Sequence, residues 1–283
     1  MGNTLEKDKY KDNQYSKMSF YDKLKNKLEN KLKSKELQKL PKTYYILGKI
    51  LILKLDKSLI KHKKIIGKTI LEILPYVHTV VLDKGIKGVK RKPKIEIIAG
   101  CRSTQTMHKE HGKQFLLDVS ENMWSKGNKA ERERMLKSIK QGEIIVDMFA
   151  GIGYWAIYVA EKAKKVYAID INPKAIEYLR RNAYLNHVQS KIEILEGDCR
   201  KFASPLEGIA DRIIIGYIYD TERFLPAALK IAKKHCIIHF HKNVAEKDIL
   251  KVKKKLEKYG SVKFRKVKSY APKIWHVVYD IRV

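Results

Sequence analysis

Asp147, Gly151 and Gly153 stand at the end of an apolar run that begins Ile144-Ile145-Val146. Glycines two apart open backbone angles closed to other residues and let a ligand lie close against the main chain. A helix read from residue 154 onward then turns its free N–H groups and positive dipole end toward that ligand. Asp170 closes a second β-rich run, residues 165–170, about twenty residues past the turn, where a carboxylate can hold both hydroxyls of a ribose. A third run, residues 191–195, leads into Gly197-Asp198-Cys199, a natural place for contacts to an adenine edge. Phe149, Gly151, Gly153, Asp170, Asp198 and Cys199 are therefore candidate contacts to a nucleoside-bearing ligand. The turn by itself does not say which one, since Gly151 to Ala156 also fits the dinucleotide pattern G-x-G-x-x-A.

Those side chains need a parallel sheet to present them. Residues 144–147, 165–170 and 191–195 supply three strands, residues 210–217 a fourth that ends at Gly216-Tyr217, and residues 236–241 a fifth. In the fifth, His239 and His241 alternate and so share one face. Cys236 adds a third possible metal ligand, but no fourth is evident and no metal is expected. A helix reaching Tyr259 and strands 262–267 and 275–281 complete a seven-stranded sheet. Upstream, Met123-Trp124-Ser125-Lys126-Gly127-Asn128 and a helix from Lys129 toward Lys140, carrying Glu131 and Arg132, lie just before the first strand. Both can fold over its carboxyl end, where open α/β sheets bind ligands. His108, Glu110 and His111 lack the zincin order H-E-x-x-H and read as local hydrogen bonding in a turn.

Leu40-Pro41 marks a boundary. Past it, strands (residues 44–55), a helix (58–74) stopped by Pro75 and two further strands (77–82 and 94–98) make a small α+β domain over residues 41–112, ahead of the nucleotide-binding domain, 113–283. Between the last two strands lies a glycine-loosened loop with Lys87, Lys90, Arg91 and Lys92, suited to phosphate contacts. Residues 1–40 form a basic extension. Phe20, Leu24, Leu28 and Leu32 recur every four residues as in an amphipathic helix, and the first fifteen residues read as disordered.

Sixty-one Lys and Arg against 31 Asp and Glu leave a net charge of +30 over 283 residues. A field of that size and sign attracts nucleic acid. Three scattered cysteines give no disulfide framework and fit a reducing cytosol. Neither an 18-residue apolar run nor a signal-peptide pattern occurs, so a cytoplasmic protein without a membrane partner is expected, and as a monomer.

At His108-Lys109-Glu110-His111-Gly112, Ser125, Glu131-Arg132, Asp147 to Gly153 and Asp170-Ile171-Asn172-Pro173, the chain resembles the archaeal and eukaryotic tRNA guanine-37 N1-methyltransferases. It resembles still more closely their relatives in wybutosine synthesis, the tRNA 4-demethylwyosine aminocarboxypropyltransferases. The resemblance implies an α/β, Rossmann-like class I methyltransferase fold with a seven-stranded mixed sheet, preceded by a small α+β domain. It also implies S-adenosyl-L-methionine as donor and tRNA as partner, gripped around position 37 beside the anticodon. Ser125 and Arg132 are then expected at the methionine end of the cofactor, Asp170 at its ribose, Asp198 and Cys199 at its adenine. Glu131 matches the methyltransferases' general base or else orients Arg132, and Tyr217, His239 and His241 are expected near the substrate base.

The departures choose between the relatives. The methyltransferases carry Ser-Pro-Arg where this chain has Ser125-Lys126-Gly127, Asn-Leu-Pro or Asn-Pro-Pro where it has Gly216-Tyr217-Ile218, and Gly-Pro-Phe where Tyr154-Trp155 follows Gly153. The sulfonium offers three carbons to a nucleophile, the methyl, the methionine γ-carbon and the ribose C5′. The one held in line about 3–3.5 Å from the attacking atom reacts. Bulk at Tyr154 and Trp155, with a reshaped wall at Gly216, favours the γ-carbon. The expected reaction is aminocarboxypropyl transfer to C7 of 4-demethylwyosine in tRNA(Phe), releasing methylthioadenosine, with guanine-37 N1-methylation as the alternative.

Overall fold

The computed structural model describes residues 18–88 and 92–283. The chain divides into two compact units, one running to His108 and including Asp118–Met123, the other comprising Lys109–Leu117 and Trp124–Val283.

In the first unit, Ser19 accepts the Asp22 N–H and starts α1 (Phe20–Leu28), followed by the short α2 (Ser34–Leu37). Leu24, Leu28, Leu32, Leu37 and Leu40 all enter this unit's core, so the boundary read at Leu40-Pro41 falls inside a packed unit. Strands β1 (Tyr44–Leu47) and β2 (Ile50–Leu53) pair antiparallel. Helix α3 (Lys63–Ile73) then crosses to β3 (Thr79–Lys87), which runs parallel to β2, and β4 (Lys92–Gly100) returns beside it. Of the cation-rich loop expected over residues 84–94, residues 84–87 belong to β3 and 92–94 to β4. Gly85, at φ 96°, makes a bulge in β3 rather than a break, and its N–H donates to Asp83 Oδ1 at 2.8 Å. Lys90 and Arg91 lie outside the described residues, as do the first fifteen residues and the side chain of Lys87. Lys92 pairs with Glu121.

The hairpin of β5 (Gln105–Glu110) and β6 (Lys113–Asp118) leads into the second unit. There α4 (Lys129–Ser138) precedes β7 (Ile144–Asp147), α5 (Ala156–Val159), β8 (Lys165–Asp170), α6 (Pro173–Leu185) and β9 (Ile192–Glu196). Then come β10 (Ala210–Ile215), α7 (Leu225–Ile231), β11 (Ala232–Ala245), α8 (Ile249–Leu256), β12 (Ser261–Ala271) and β13 (Ile274–Arg282). The sheet order is β12-β13-β11-β10-β7-β8-β9. β13 alone runs antiparallel to its neighbours, so the sheet is mixed and Rossmann-like. The order reverses between β7 and β10, the switch point at which such sheets hold ligands.

Alternation gives this sheet two unlike faces. Val146, Ile213, Ile215, Ile238 and Phe240 point into an apolar core with α7 and α8. The opposite face carries Arg212, His239, His241, Asn243, His276 and Asp280, by the pairing of β10, β11 and β13. This polar stripe runs toward the carboxyl edge.

Candidate active site at the carboxyl edge of the sheet

Past β7 the chain turns through Gly151 (φ 55°) and Gly153 (φ 101°), angles that a side chain would strain. Asp170, at the end of β8, fastens this turn. Its Oδ2 accepts the Gly151 N–H at 2.8 Å and its Oδ1 the Asn172 N–H at 2.8 Å. Burial raises its carboxyl above the ordinary range. With the Ile171 N–H also bonded to it, the carboxyl keeps lone-pair capacity for a further donor. Asp147 is fully buried beneath the turn. Its Oδ1 accepts the Phe149 N–H at 3.3 Å and its Oδ2 has no partner among the described residues. Burial pushes this carboxyl up to about 7.

Asp198 caps the turn after β9 by accepting the Arg200 N–H at 3.0 Å, and the Arg200 guanidinium beside it lowers its carboxyl to about 2. Cys199 is buried there, and burial pushes its thiol up to about 12, so it contributes shape and not a thiolate. Phe149 and Tyr217 stack with ring centroids 5.2 Å apart, with Phe224 edge-on to both. Phe149, Gly151, Gly153, Asp170, Asp198 and Tyr217 thus line the ends of adjacent strands β7, β8, β9 and β10.

On the helix side, Arg132 is buried, donates to both oxygens of Glu110 at 2.6 and 3.0 Å, and lies over the Trp124 ring at 5.4 Å. The Tyr158 hydroxyl donates to Glu110 Oε1 at 3.1 Å. Ser125 Oγ accepts from Lys268 Nζ at 2.7 Å. Glu110, read as part of a local turn, is instead the long-range partner of Arg132. His108 leaves in another direction and accepts the Gly48 N–H.

Glu131, expected as a general base or as the partner of Arg132, pairs with Arg134 and not with Arg132. It is 1 % exposed, and its carboxylate takes the Arg134 Nε–H at 2.9 and 3.0 Å and an Nη2–H at 2.6 Å. Consecutive residues on a helix point about 100° apart, which separates the two pairs. Arg134 continues to Asp280 at 2.7 Å, Asp280 accepts from His239 Nδ1 at 2.6 Å, and His239 Nε2 meets Arg212 Nη1 at 2.6 Å. Arg212 ends the chain on Glu143 at 2.7 and 2.9 Å. His239 and Arg134 hold Asp280 well below the usual carboxylate range. An arginine only donates, so His239 Nε2 accepts and its proton sits on Nδ1. His239, expected at the substrate, is thus a buried link with both nitrogens engaged.

His241 is also buried, with Nδ1 3.0 Å from His276 Nε2. No local pattern marks Asp280, His276 and Lys268 as site residues, because pairing of β11 with β13 brings Asp280 and His276 to His239 and His241 and a long-range contact brings Lys268 to Ser125, whereas Arg134 stands three residues along the helix from Glu131.

A family model described as the TRM5/TYW2 methyltransferase domain matches residues 106–268, and one described as the TYW2 N-terminal domain matches residues 24–104. The chain is 39% identical over 266 residues to the tRNA(Phe) (4-demethylwyosine(37)-C(7)) aminocarboxypropyltransferase of Pyrococcus horikoshii, covering 90% of this chain and 94% of that one. It is 35% identical over 255 residues to the tRNA (guanine(37)-N(1))-methyltransferase Trm5b of Pyrococcus abyssi, covering 86% and 76%. The crystal structure of P. horikoshii TYW2 in complex with MeSAdo superposes with a TM-score of 0.80 at 37% identity, covering 93% of this chain and 98% of that one.

Proposed function

The chain belongs to the TRM5/TYW2 family, and from that premise we propose that it transfers the 3-amino-3-carboxypropyl group of S-adenosylmethionine to C7 of 4-demethylwyosine at position 37 of tRNA(Phe). It is an S-adenosylmethionine-dependent tRNA transferase. The residues fit the donor. Asp170, partly exposed at the end of β8, is proposed to accept from the ribose hydroxyls, Asp198 and Cys199 to shape the adenine side, and the buried Asp147, whose Oδ2 has no partner among the described residues, supports the turn beneath them.

One observation carries the choice of transferred group. A Cβ built on Gly216 would stand 3.2 Å from Trp155 Nε1, so the indole fills the place from which a residue-216 side chain would rise. Trp155 and Gly216, two of the departures from the methyltransferase pattern, are therefore one coupled change to the wall beside the reacting centre. Tyr154 packs on the turn itself, its ring lying 2.6 Å from where a Cβ on Gly151 would sit and edge-on to Trp124. Such packing redirects the methionine arm and presents the γ-carbon in line, the geometry on which the rate depends.

Arg132, held by Glu110 and Trp124, and Ser125 are proposed to position the methionine end. Lys87, Lys90, Arg91 and Lys92 are proposed to meet tRNA phosphates. The three unpaired cysteines fit a cytoplasmic setting, and no helix of the described residues is long and apolar enough to cross a membrane. Action as a monomer is part of the proposal and is checked by sedimentation.

The test supplies tRNA bearing 4-demethylwyosine with S-adenosylmethionine labelled either in the methyl or in the carboxyl carbon. Label entering tRNA only from the carboxyl form, with release of methylthioadenosine, is expected. Label entering from the methyl form refutes the reading.

A further inference from the structure

We propose that His241 accepts the C7 proton of the substrate base, with His276 as its relay. The proposal deepens the aminocarboxypropyl reading and rests on it. Pairing of β10 with β11 sets Ile215 opposite Phe240, so His241 stands level with Gly216, the first residue past the end of β10. Its ring centroid is 5.5 Å from that of Trp155, on the face that also holds the Trp155–Gly216 contact. The Thr221 hydroxyl, buried, lies 2.9 Å from the Tyr217 carbonyl and 3.0 Å from the His241 carbonyl, tying the two strand ends together.

The polar stripe divides at this level. Below it, Arg212, His239, Asp280, Arg134 and Glu131 partner one another. Above it, His241 Nε2 is buried with no partner among the described residues, and both amide atoms of Asn243, two residues on and on the same face, are buried and likewise without a partner among them. An unpaired buried polar group costs about 1–3 kcal/mol, and native structures keep few of them without a reason. Three such atoms at the carboxyl edge, beside the wall rebuilt at Trp155 and Gly216, mark a place where a polar heterocycle completes the bonding.

The tautomer follows from the contacts. For Nε2 to accept, His241 carries its proton on Nδ1 and donates it to His276 Nε2. Burial, without a carboxylate in contact, holds both rings neutral, His241 well below its ordinary range and His276 at about 4. A weak base is sufficient. When ring electrons of the substrate form the bond from C7 to the γ-carbon, the γ-carbon–sulfur bond breaks and its pair leaves on sulfur as methylthioadenosine. The base is then a cation whose C7–H is strongly acidic. The C7–H pair returns to the ring, the proton passes to His241 Nε2, and the Nδ1 proton shifts to His276. The imidazole pair carries one positive charge until product leaves.

The test uses the full chain, carboxyl-labelled S-adenosylmethionine, and tRNA with hydrogen or deuterium at C7. The parent should transfer label with little isotope effect, because proton loss is fast. His241→Gln should lower kcat by about 10²–10⁴, the usual worth of a positioned base, leave binding of tRNA and S-adenosylmethionine unchanged, and acquire a primary isotope effect. His276→Gln, which leaves His241 in place, should slow turnover less and acquire the same isotope effect, and it serves if the first variant does not fold. Parental kcat in His241→Gln, or slowed turnover without an isotope effect in either variant, overturns the assignment. A parent that transfers only methyl label overturns the functional reading instead.

Discussion

Replacing Glu131 by Gln distinguishes a base from a brace. Its two oxygens accept three hydrogen bonds from Arg134 at 2.6–3.0 Å, in a position 1 % exposed. Gln keeps one acceptor oxygen, sets an amide donor against a guanidinium donor, and removes the charge. The loss of a charge-assisted bond should destabilise by about 1.5–3 kcal/mol. At about 2–4 °C per kcal/mol for a domain of this size, Tm should fall by roughly 3–12 °C. Arg134→Met leaves the Glu131 carboxylate buried and unpaired and should cost more, about 3–5 kcal/mol. Thermal unfolding gives the first quantity. Turnover measured well below both Tm values gives the second, and kcat of Glu131→Gln should stay near the parent's there. An unchanged Tm with kcat down by about 100-fold or more, the signature of a lost general base, would refute the reasoning and restore Glu131 as the base.

Asp170→Ala should weaken S-adenosylmethionine binding in calorimetry while tRNA binding persists, since it removes the proposed ribose acceptor and the 2.8 Å tether of the Gly151 N–H together. Asp147 titrates near 7 in the folded protein against an ordinary 3.8, so the folded state holds a proton that the unfolded chain has released. Stability should therefore fall as pH rises from about 4 to about 7, by a few kcal/mol at ~1.4 kcal/mol per pH unit. In Asp147→Asn that slope in urea titrations should vanish. Gly216→Asn should lower aminocarboxypropyl transfer by about 100-fold through a displacement near 1 Å, and a parental rate would deny the wall its role. Neutralising Lys87, Lys90, Arg91 and Lys92 together should weaken tRNA binding and flatten its log–log salt dependence, by about 0.7–0.9 for each phosphate left without its cation.

Much of the sheet was legible because buried parallel strands are written as β-branched runs, and the glycine turn and Asp170 follow them at a spacing fixed by one strand–helix–strand unit. Local signals fail where pairing is long-range. The period-two pattern puts His239 and His241 on one face, yet nothing near them in sequence says that Asp280 and Arg212 take both nitrogens of the first, or that His276 takes only one of the second. Glu131 and Arg132 adjoin in sequence, and helix geometry sends one to Arg134 and the other to Glu110. Elements shifted for backbone reasons. The strand expected from residue 236 starts earlier, at Ala232, with a register shift against β10, and Asp220, at φ 43°, and Pro226 mark the entry to the short α7 before it.

The shared space of Trp155 and Gly216 also constrains ancestry. Suppose a forebear held Phe at 155 and Asn at 216, as the methyltransferases do. Enlarging residue 155 first drives an indole into the Asn side chain, and overpacking of that kind costs about 1–3 kcal/mol. Trimming residue 216 to Gly first leaves only a gap, which a marginally stable protein survives more readily and the later Trp fills. The two substitutions are therefore not interchangeable in time, and a lineage passing between the activities has one easy order of steps. Descendants stopped midway should carry Gly at 216 beside a smaller aromatic at 155, and the reverse pairing should be rare.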